Sequence, residues 1–148
     1  MLSVNLDMVE LVEKPMPRGS IRVHFPLHAA VGTASTAVVL FELDPGGELA
    51  THTDSAEELL LVLAGDGAAH VDGETARLRT GEAAVVPAMA PHGIRNVGET
   101  TLRVLGFFSS STVVSTFEQP IGPQGERVVV AGASTPILAH LEQPALTG

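Results

Sequence analysis

Residues 58–79 read ELLLVLAGDGAAHVDGETARLR, and the punctuation of this stretch decides the fold. An apolar run, Glu58–Leu63, is cut off by Gly65 and Gly67, and two more runs follow, Ala68–Val71 and Thr75–Arg79. Between the last two stands Asp72-Gly73. That pair is a hairpin signal, because its first residue tolerates and its second favours the positive φ of a tight two-residue turn. The same pattern extends in both directions. Ile21–Phe25, Thr36–Leu43, Ala83–Val86, His92–Asn96, Thr101–Phe108, Thr112–Phe117 and Arg127–Val130 are short runs rich in Val, Leu and Thr, bounded by Gly and Pro. Fifteen Gly and ten Pro are spread along the chain, with no strand-helix alternation and no internal repeat, so an all-β sandwich or barrel is expected. Only the end reads as a short C-terminal helix. Ser134 or Thr135 suits a cap, Pro136 suits the first turn, and Ile137, Leu138 and Leu141 form an apolar stripe.

The chain has 148 residues and 15.3 kDa, which fits one domain spanning 1–148. Eight Lys and Arg against seventeen Asp and Glu give a formal charge of −9. This is the wrong sign for a phosphate backbone or an anionic lipid surface, so neither nucleic acid nor membrane is an expected partner. The absence of Cys removes disulfides, thiolate metal sites and cysteine nucleophiles together. Residues 1–14 mix apolar positions with Asp7, Glu10 and Glu13, unlike a secretory signal, and no stretch is long and apolar enough to span a bilayer. A cytoplasmic protein is the expectation. The five apolar residues Leu59–Leu63 leave no polar face on their strand, so one side is expected to face the interior and the other a second sheet or another subunit. A homodimer is the economical reading, and a strand wholly buried within one sandwich is the alternative.

Six His, at positions 24, 28, 52, 70, 92 and 140, are the candidate metal ligands or proton carriers. His52 and Asp54 are two apart, so on an extended segment both project from one face, and Glu58 follows after a short connection. If the fold lays the run opening at His92 beside them, a His/carboxylate cluster suited to a divalent metal results. Glu57 competes with Glu58 but projects with Leu59 and Leu61 to the opposite face.

At these positions the chain resembles the cupin family. Residues 46–65, GGELATHTDSAEELLLVLAG, are similar to the first cupin motif, GxxxxxHxHxxxExxxxxxG, with Gly46, His52, Glu58 and Gly65 in register and Asp54 in place of the second His. Residues 81–96, GEAAVVPAMAPHGIRN, are similar to the second motif, GxxxxxPxGxxHxxxN, with Gly81, Pro87, His92 and Asn96 matching and Met89 in place of a Gly. The resemblance implies a jelly-roll β-barrel with one divalent metal ion per chain, held by His52, Glu58 and His92. For Asp54 three readings stay open. It is a fourth ligand, making an oxygen-rich site; or it is too short to reach, leaving a two-His-one-carboxylate face with Asp54 as acceptor or general base; or it is a turn residue bonding the backbone two positions on. Fe(II) or Mn(II) is favoured, with Ni(II) or Zn(II) as further candidates.

The function implied is a metal-dependent enzyme acting on a small organic molecule, an oxygenase first. A second reading is a non-redox isomerase, lyase or cyclase, with the metal as Lewis acid and Glu58 or Asp54 moving a proton. A third is a barrel that only binds or senses a small ligand, since fold does not settle function. Met89 either covers a turn that needs no positive φ or forms an apolar wall of the pocket. Asn96 ties strands together, Phe107 and Phe108 pack in the core, and His24, His28, His70 and His140 serve as surface or packing residues.

Overall fold

The computed structural model describes residues 1–133, and the C-terminal helix expected from Ser134 onward lies outside them. Twelve strands run in chain order: β1 Val12–Pro15, β2 Ser20–Leu27, β3 Ala37–Leu43, β4 Glu48–Asp54, β5 Glu58–Ala64, β6 Asp66–Val71, β7 Glu74–Arg79, β8 Ala83–Val86, β9 His92–Asn96, β10 Leu102–Phe108, β11 Val113–Phe117 and β12 Val128–Ala131. Ten of them overlap the runs read from the sequence. The other two are β4, which was read only as an extended segment, and β1, whose Glu, Lys and Pro carry no strand propensity. β1 exists because Val12 to Pro15 pair with Val23 to Ser20, so a tertiary partner overrides a weak local preference.

The strands form two six-stranded sheets, ordered β1-β2-β3-β10-β5-β8 and β12-β11-β4-β9-β6-β7, antiparallel throughout. Among the described residues no strand pairs from one sheet to the other, so the expected barrel is an open two-sheet sandwich. β1 ends at Pro15 and β8 stops before Pro87, and proline has no N–H with which to extend a ladder around the corner.

Alternate residues of each strand point inward and form one core. Ile21, Val39, Phe41, Leu43, Leu60, Val62 and Val104 come from the first sheet, and Leu78, Ile94 and Val113 from the second. Each such side chain contributes about 1.5–3 kcal/mol on burial. Asn96 has the tying role expected of it: its Nδ2 donates to the carbonyls of Leu43 at 2.9 Å and Thr100 at 2.8 Å, and its Oδ1 accepts from the Gly98 N–H at 2.9 Å. The β6–β7 turn has φ of 50° at Asp72 and 86° at Gly73, the two positive values that the Asp-Gly pair foretold.

Phe108 is buried and lies 6.2 Å from Phe25 in a stacked pair, whereas Phe107 is 43% exposed, contrary to the expectation that both pack inside. Strand alternation sends neighbours to opposite faces. The reading of Met89 as covering a turn that needs no positive φ is also corrected. It has φ of +66° and is 61% exposed, so it occupies a left-handed turn. A non-glycine residue in that conformation costs about 1–2 kcal/mol. Met89→Gly is therefore expected to raise stability, by at most about 1 kcal/mol once the greater freedom of glycine in the unfolded chain is counted. Urea denaturation reads this directly, and a loss of stability would show that the turn is unstrained.

Candidate metal centre

Strand β4 turns His52 and Asp54 to the same inner face, as their spacing requires, but the register is set elsewhere. Leu49 pairs with Ile94 and His52 with His92, so β4 carries one more residue than β9 between these two pairs. This bulge places His52, and not Thr51, opposite His92. The two imidazoles lie 4.2 Å apart, and Phe117 on β11 stacks on His52 at 4.7 Å. Asp54 faces Ser115 across the β4–β11 ladder. Glu58 arrives from β5, in the other sheet, so the group bridges the sandwich. All four side chains are buried.

The backbone decides what these side chains offer. His52 Nδ1 lies 2.8 Å from the Ala50 carbonyl and His92 Nδ1 lies 2.9 Å from the Ala90 carbonyl. A carbonyl only accepts, so each Nδ1 carries a proton, and each ring turns its Nε2 into the cluster, where it is a lone pair whenever the ring is neutral. There they meet carboxylate oxygens: His92 Nε2 is 3.0 Å from Asp54 Oδ2 and 3.3 Å from Glu58 Oε1, and His52 Nε2 is 3.5 Å from Asp54 Oδ2. Asp54 Oδ2 and His92 Nε2 are close yet neither has an aligned hydrogen-bond partner. With the rings neutral these are acceptors without donors, out of water, and a shared cation, a proton on His92 or a metal ion, satisfies them. The ligand atoms of His52, Asp54 and His92 all lie within 4.8 Å of one another, so this buried group can hold a metal ion.

Protonation follows from the same contacts. Burial by itself would lower the His92 pKa, but its contacts with Asp54 and Glu58 and the Ala90 carbonyl together raise it to about 10. For Asp54, burial works upward and is outweighed by His52, His92 and Ser115, which hold the carboxyl well below the usual range. Glu58 goes the other way, pushed up by burial against the opposing pull of His92. Without a metal the centre is thus an Asp54 carboxylate facing a His92 imidazolium, and binding a divalent ion must expel that proton.

The structure brings His52, Asp54 and His92 together and sets Glu58 Oε1 3.3 Å from His92 Nε2. Asp54 is no turn residue: its Oδ1 accepts from Ser115 Oγ at 2.5 Å, leaving Oδ2 free. Glu57 is exposed on the opposite side from Glu58. Among the other histidines, His70 bonds Thr51 Oγ1 at 2.9 Å on the outer side of the second sheet, and His140 lies outside the described residues.

A family model described as the cupin domain matches residues 39–108, the segment that contains both motifs and all four side chains. The matched segment is cupin-like. Solved structures agree on its fold. The Cnp3 cupin domain of Schizosaccharomyces pombe superposes with a TM-score of 0.63 at 17% identity, covering 74% of each chain. A structure described as a predicted oxalate decarboxylase of Thermotoga maritima has a TM-score of 0.63 at 20% identity, over 74% of this chain and 99% of that one. The salicylate 1,2-dioxygenase of Pseudaminobacter salicylatoxidans has a TM-score of 0.52 at 23% identity, over 60% of this chain and 26% of the dioxygenase. No curated protein matches by sequence.

Two residues that support the centre carry no motif signal. Ser115 lies 61 positions from Asp54 in sequence and is joined to it only by the β4–β11 pairing. Gly106, on β10, leaves the space that the Glu58 carboxylate occupies, since a Cβ built there would collide with Glu58 Oε2. Ser115→Ala removes the bond that aims Asp54 and is expected to weaken metal binding about 10–100-fold, as outer partners of ligands do. A competition titration with a chromophoric chelator checks this; unchanged affinity would mean that packing alone orients Asp54.

Proposed function

We propose that this cupin domain binds one Fe(II) ion through His52, Asp54 and His92, with Mn(II) the next choice, and acts as an oxygenase on a small organic molecule. The observation that carries this reading is the composition of the compact group. Two imidazoles and one carboxylate converge, with Glu58 to the side, and two His with one carboxylate is the ligand face associated with non-haem iron oxygenases. An ion so held supplies open positions and an electron source for dioxygen chemistry. The chain's own residues supply the rest. The Ala50 and Ala90 carbonyls fix both rings, Ser115 fixes Asp54, and Phe117 and the surrounding core exclude water. Glu58, whose carboxyl burial pushes upward, lies 3.3 Å from His92 Nε2 and is placed to deliver or accept a proton as substrate charge changes.

Elemental analysis after anaerobic loading is expected to find about one iron per chain, and the loaded protein is expected to consume dioxygen only when a substrate is added. Salicylate and oxalate, named in two of the structural neighbours, head the panel. Glu58 also supports the non-redox alternative, in which an isomerase or lyase uses the same carboxyl as its proton carrier. Product formed in the absence of dioxygen would select that alternative, and a loaded protein silent across the panel would select a small-molecule binding role.

A further inference from the structure

We infer that a groove on the outer side of the second sheet is a binding site for a small dicarboxylic acid. Strand register builds it. One row across the sheet runs Glu48, Arg95, Ala68 and Arg77, from β4 through β9 and β6 to β7, and the next runs Gly93, His70 and Thr75. Ala68 contributes almost no side chain. A groove of about 370 Å³ opens over it, reaching Thr51 on one side and the turn between β1 and β2 on another. That volume lies in the range of small-molecule sites and is more than an inorganic ion fills.

The polar groups around it are held in place. His70 lies across Gly93, where an added Cβ would come within 2.7 Å of His70 Cε1 and 2.6 Å of the Leu49 carbonyl. Gly93 has no left-handed φ, so space, and not backbone conformation, is what requires a glycine there. Thr51 Oγ1 engages His70 Nε2 at 2.9 Å, and among the described residues Nδ1 has no partner. Arg18 comes from the other sheet. It stands in the β1–β2 turn, where the Met16 N–H donates to the Gly19 carbonyl at 3.0 Å, Gly19 takes φ of 80°, and Met16 packs against the core. An anchored turn thus carries Arg18 to the groove.

Charge selects the ligand. Acidic residues outnumber basic ones by 17 to 8, and Arg22, Arg77 and Arg103 each pair with carboxylates of the chain. Among the described residues Arg18 and Arg95 form no ion pair, and both line this groove. A guanidinium presents a planar fork that matches one carboxylate, so two forks match a molecule with two. His70 and Thr75 add neutral hydrogen-bonding groups, and Glu48 beside Arg95 opposes a more highly charged acid. The floor suits phosphate poorly. β6 and β9 each lie between two partner strands, so their N–H groups are taken by ladders and form no cradle of backbone donors. The groove is on the opposite face of β4 and β9 from the candidate metal centre, since Thr51 and Gly93 alternate with His52 and His92. Binding there does not rest on what that centre does.

An NMR titration of the metal-free full chain with succinate, in a buffer without carboxylate or phosphate, tests the inference. Saturating shifts are expected at the amides of Thr51, Ala68, His70 and Arg95, with an affinity that falls as salt is added. Arg95→Gln and Arg18→Gln are each expected to weaken binding about 10–100-fold, the usual effect of losing hydrogen bonds to a charged group. Both side chains are exposed, so the fold is expected to persist, and the spectra themselves check it. Asp54→Ala, in the candidate metal centre, is expected to bind succinate as the wild type does. The absence of shifts at millimolar succinate would overturn the proposal, and so would wild-type affinity in both arginine variants. Binding lost in a folded Asp54→Ala would place the acid at the metal centre instead. Inorganic phosphate bound as tightly as succinate, with the same dependence on Arg18 and Arg95, would overturn the assignment to a dicarboxylic acid.

Discussion

Asp54→Ala is expected to lower metal affinity by more than about 100-fold, beyond the range that outer partners of ligands account for. Asp54 Oδ2 lies 3.5 Å from His52 Nε2 and 3.0 Å from His92 Nε2, so its removal takes away the anion set between the two imidazoles. The position is buried, and water can replace the lost oxygen only by entering a dry core. Asp54→Asn separates charge from shape, since an amide oxygen can still accept from Ser115 Oγ but brings no negative charge to the ion. Both variants are expected to lose binding, with Asn retaining the better-ordered β4–β11 pairing. Asp54→His, which restores the residue usual in the motif, is expected to bind and to shift preference toward Ni(II) and Zn(II), because imidazole is a softer donor than carboxylate. Competition titrations on the three variants, with circular dichroism as the check on folding, give the comparison. Wild-type affinity in Asp54→Ala would remove Asp54 from the coordination shell.

Gly106→Ala is expected to destabilise the fold by about 1–3 kcal/mol, the usual cost of forcing an extra carbon into a packed interior. The new Cβ would collide with the Glu58 carboxylate and come within 2.7 Å of Val39 Cγ1. The chain cannot avoid this by sliding, because Gly106 pairs with Val39 on one side and Leu60 on the other. The same variant should move Glu58 away from His92 and so weaken metal binding. A double-mutant cycle isolates that cause: in a Glu58→Ala background the space is free, and most of the cost should vanish, leaving only the Val39 contact. Equal costs in the two backgrounds, by urea denaturation at unchanged m-value, would mean that Gly106 serves backbone packing and not the seat of Glu58.

Much of this molecule follows from local rules. Period-two alternation put His52 and Asp54 on one face and Glu57 and Glu58 on opposite faces, and the Asp72-Gly73 pair specified its turn, because side-chain direction and positive-φ tolerance are properties of one or two neighbouring residues. The glycine positions of the motifs behave likewise, with φ of 79° at Gly46, 96° at Gly65 and 85° at Gly81. Met89 was misread although it stands at a motif glycine: like those glycines it takes a positive φ, of 66°, which its own residue type does not disclose.

By itself, then, the sequence determined an all-β chain, its turns, and which four side chains are of metal-binding type. Tertiary structure decided how those four are arranged. The bulge in β4 set His52 against His92, the β11 pairing gave Asp54 its Ser115 partner, and the meeting of two sheets brought Glu58 in from the far side, next to His92. It also decided which side of Leu59–Leu63 is left open, through where the N-terminal segment comes to rest. These are non-local matters: register, sheet packing and coverage join residues dozens of positions apart, and a one-residue shift in register reverses which side chains face the core.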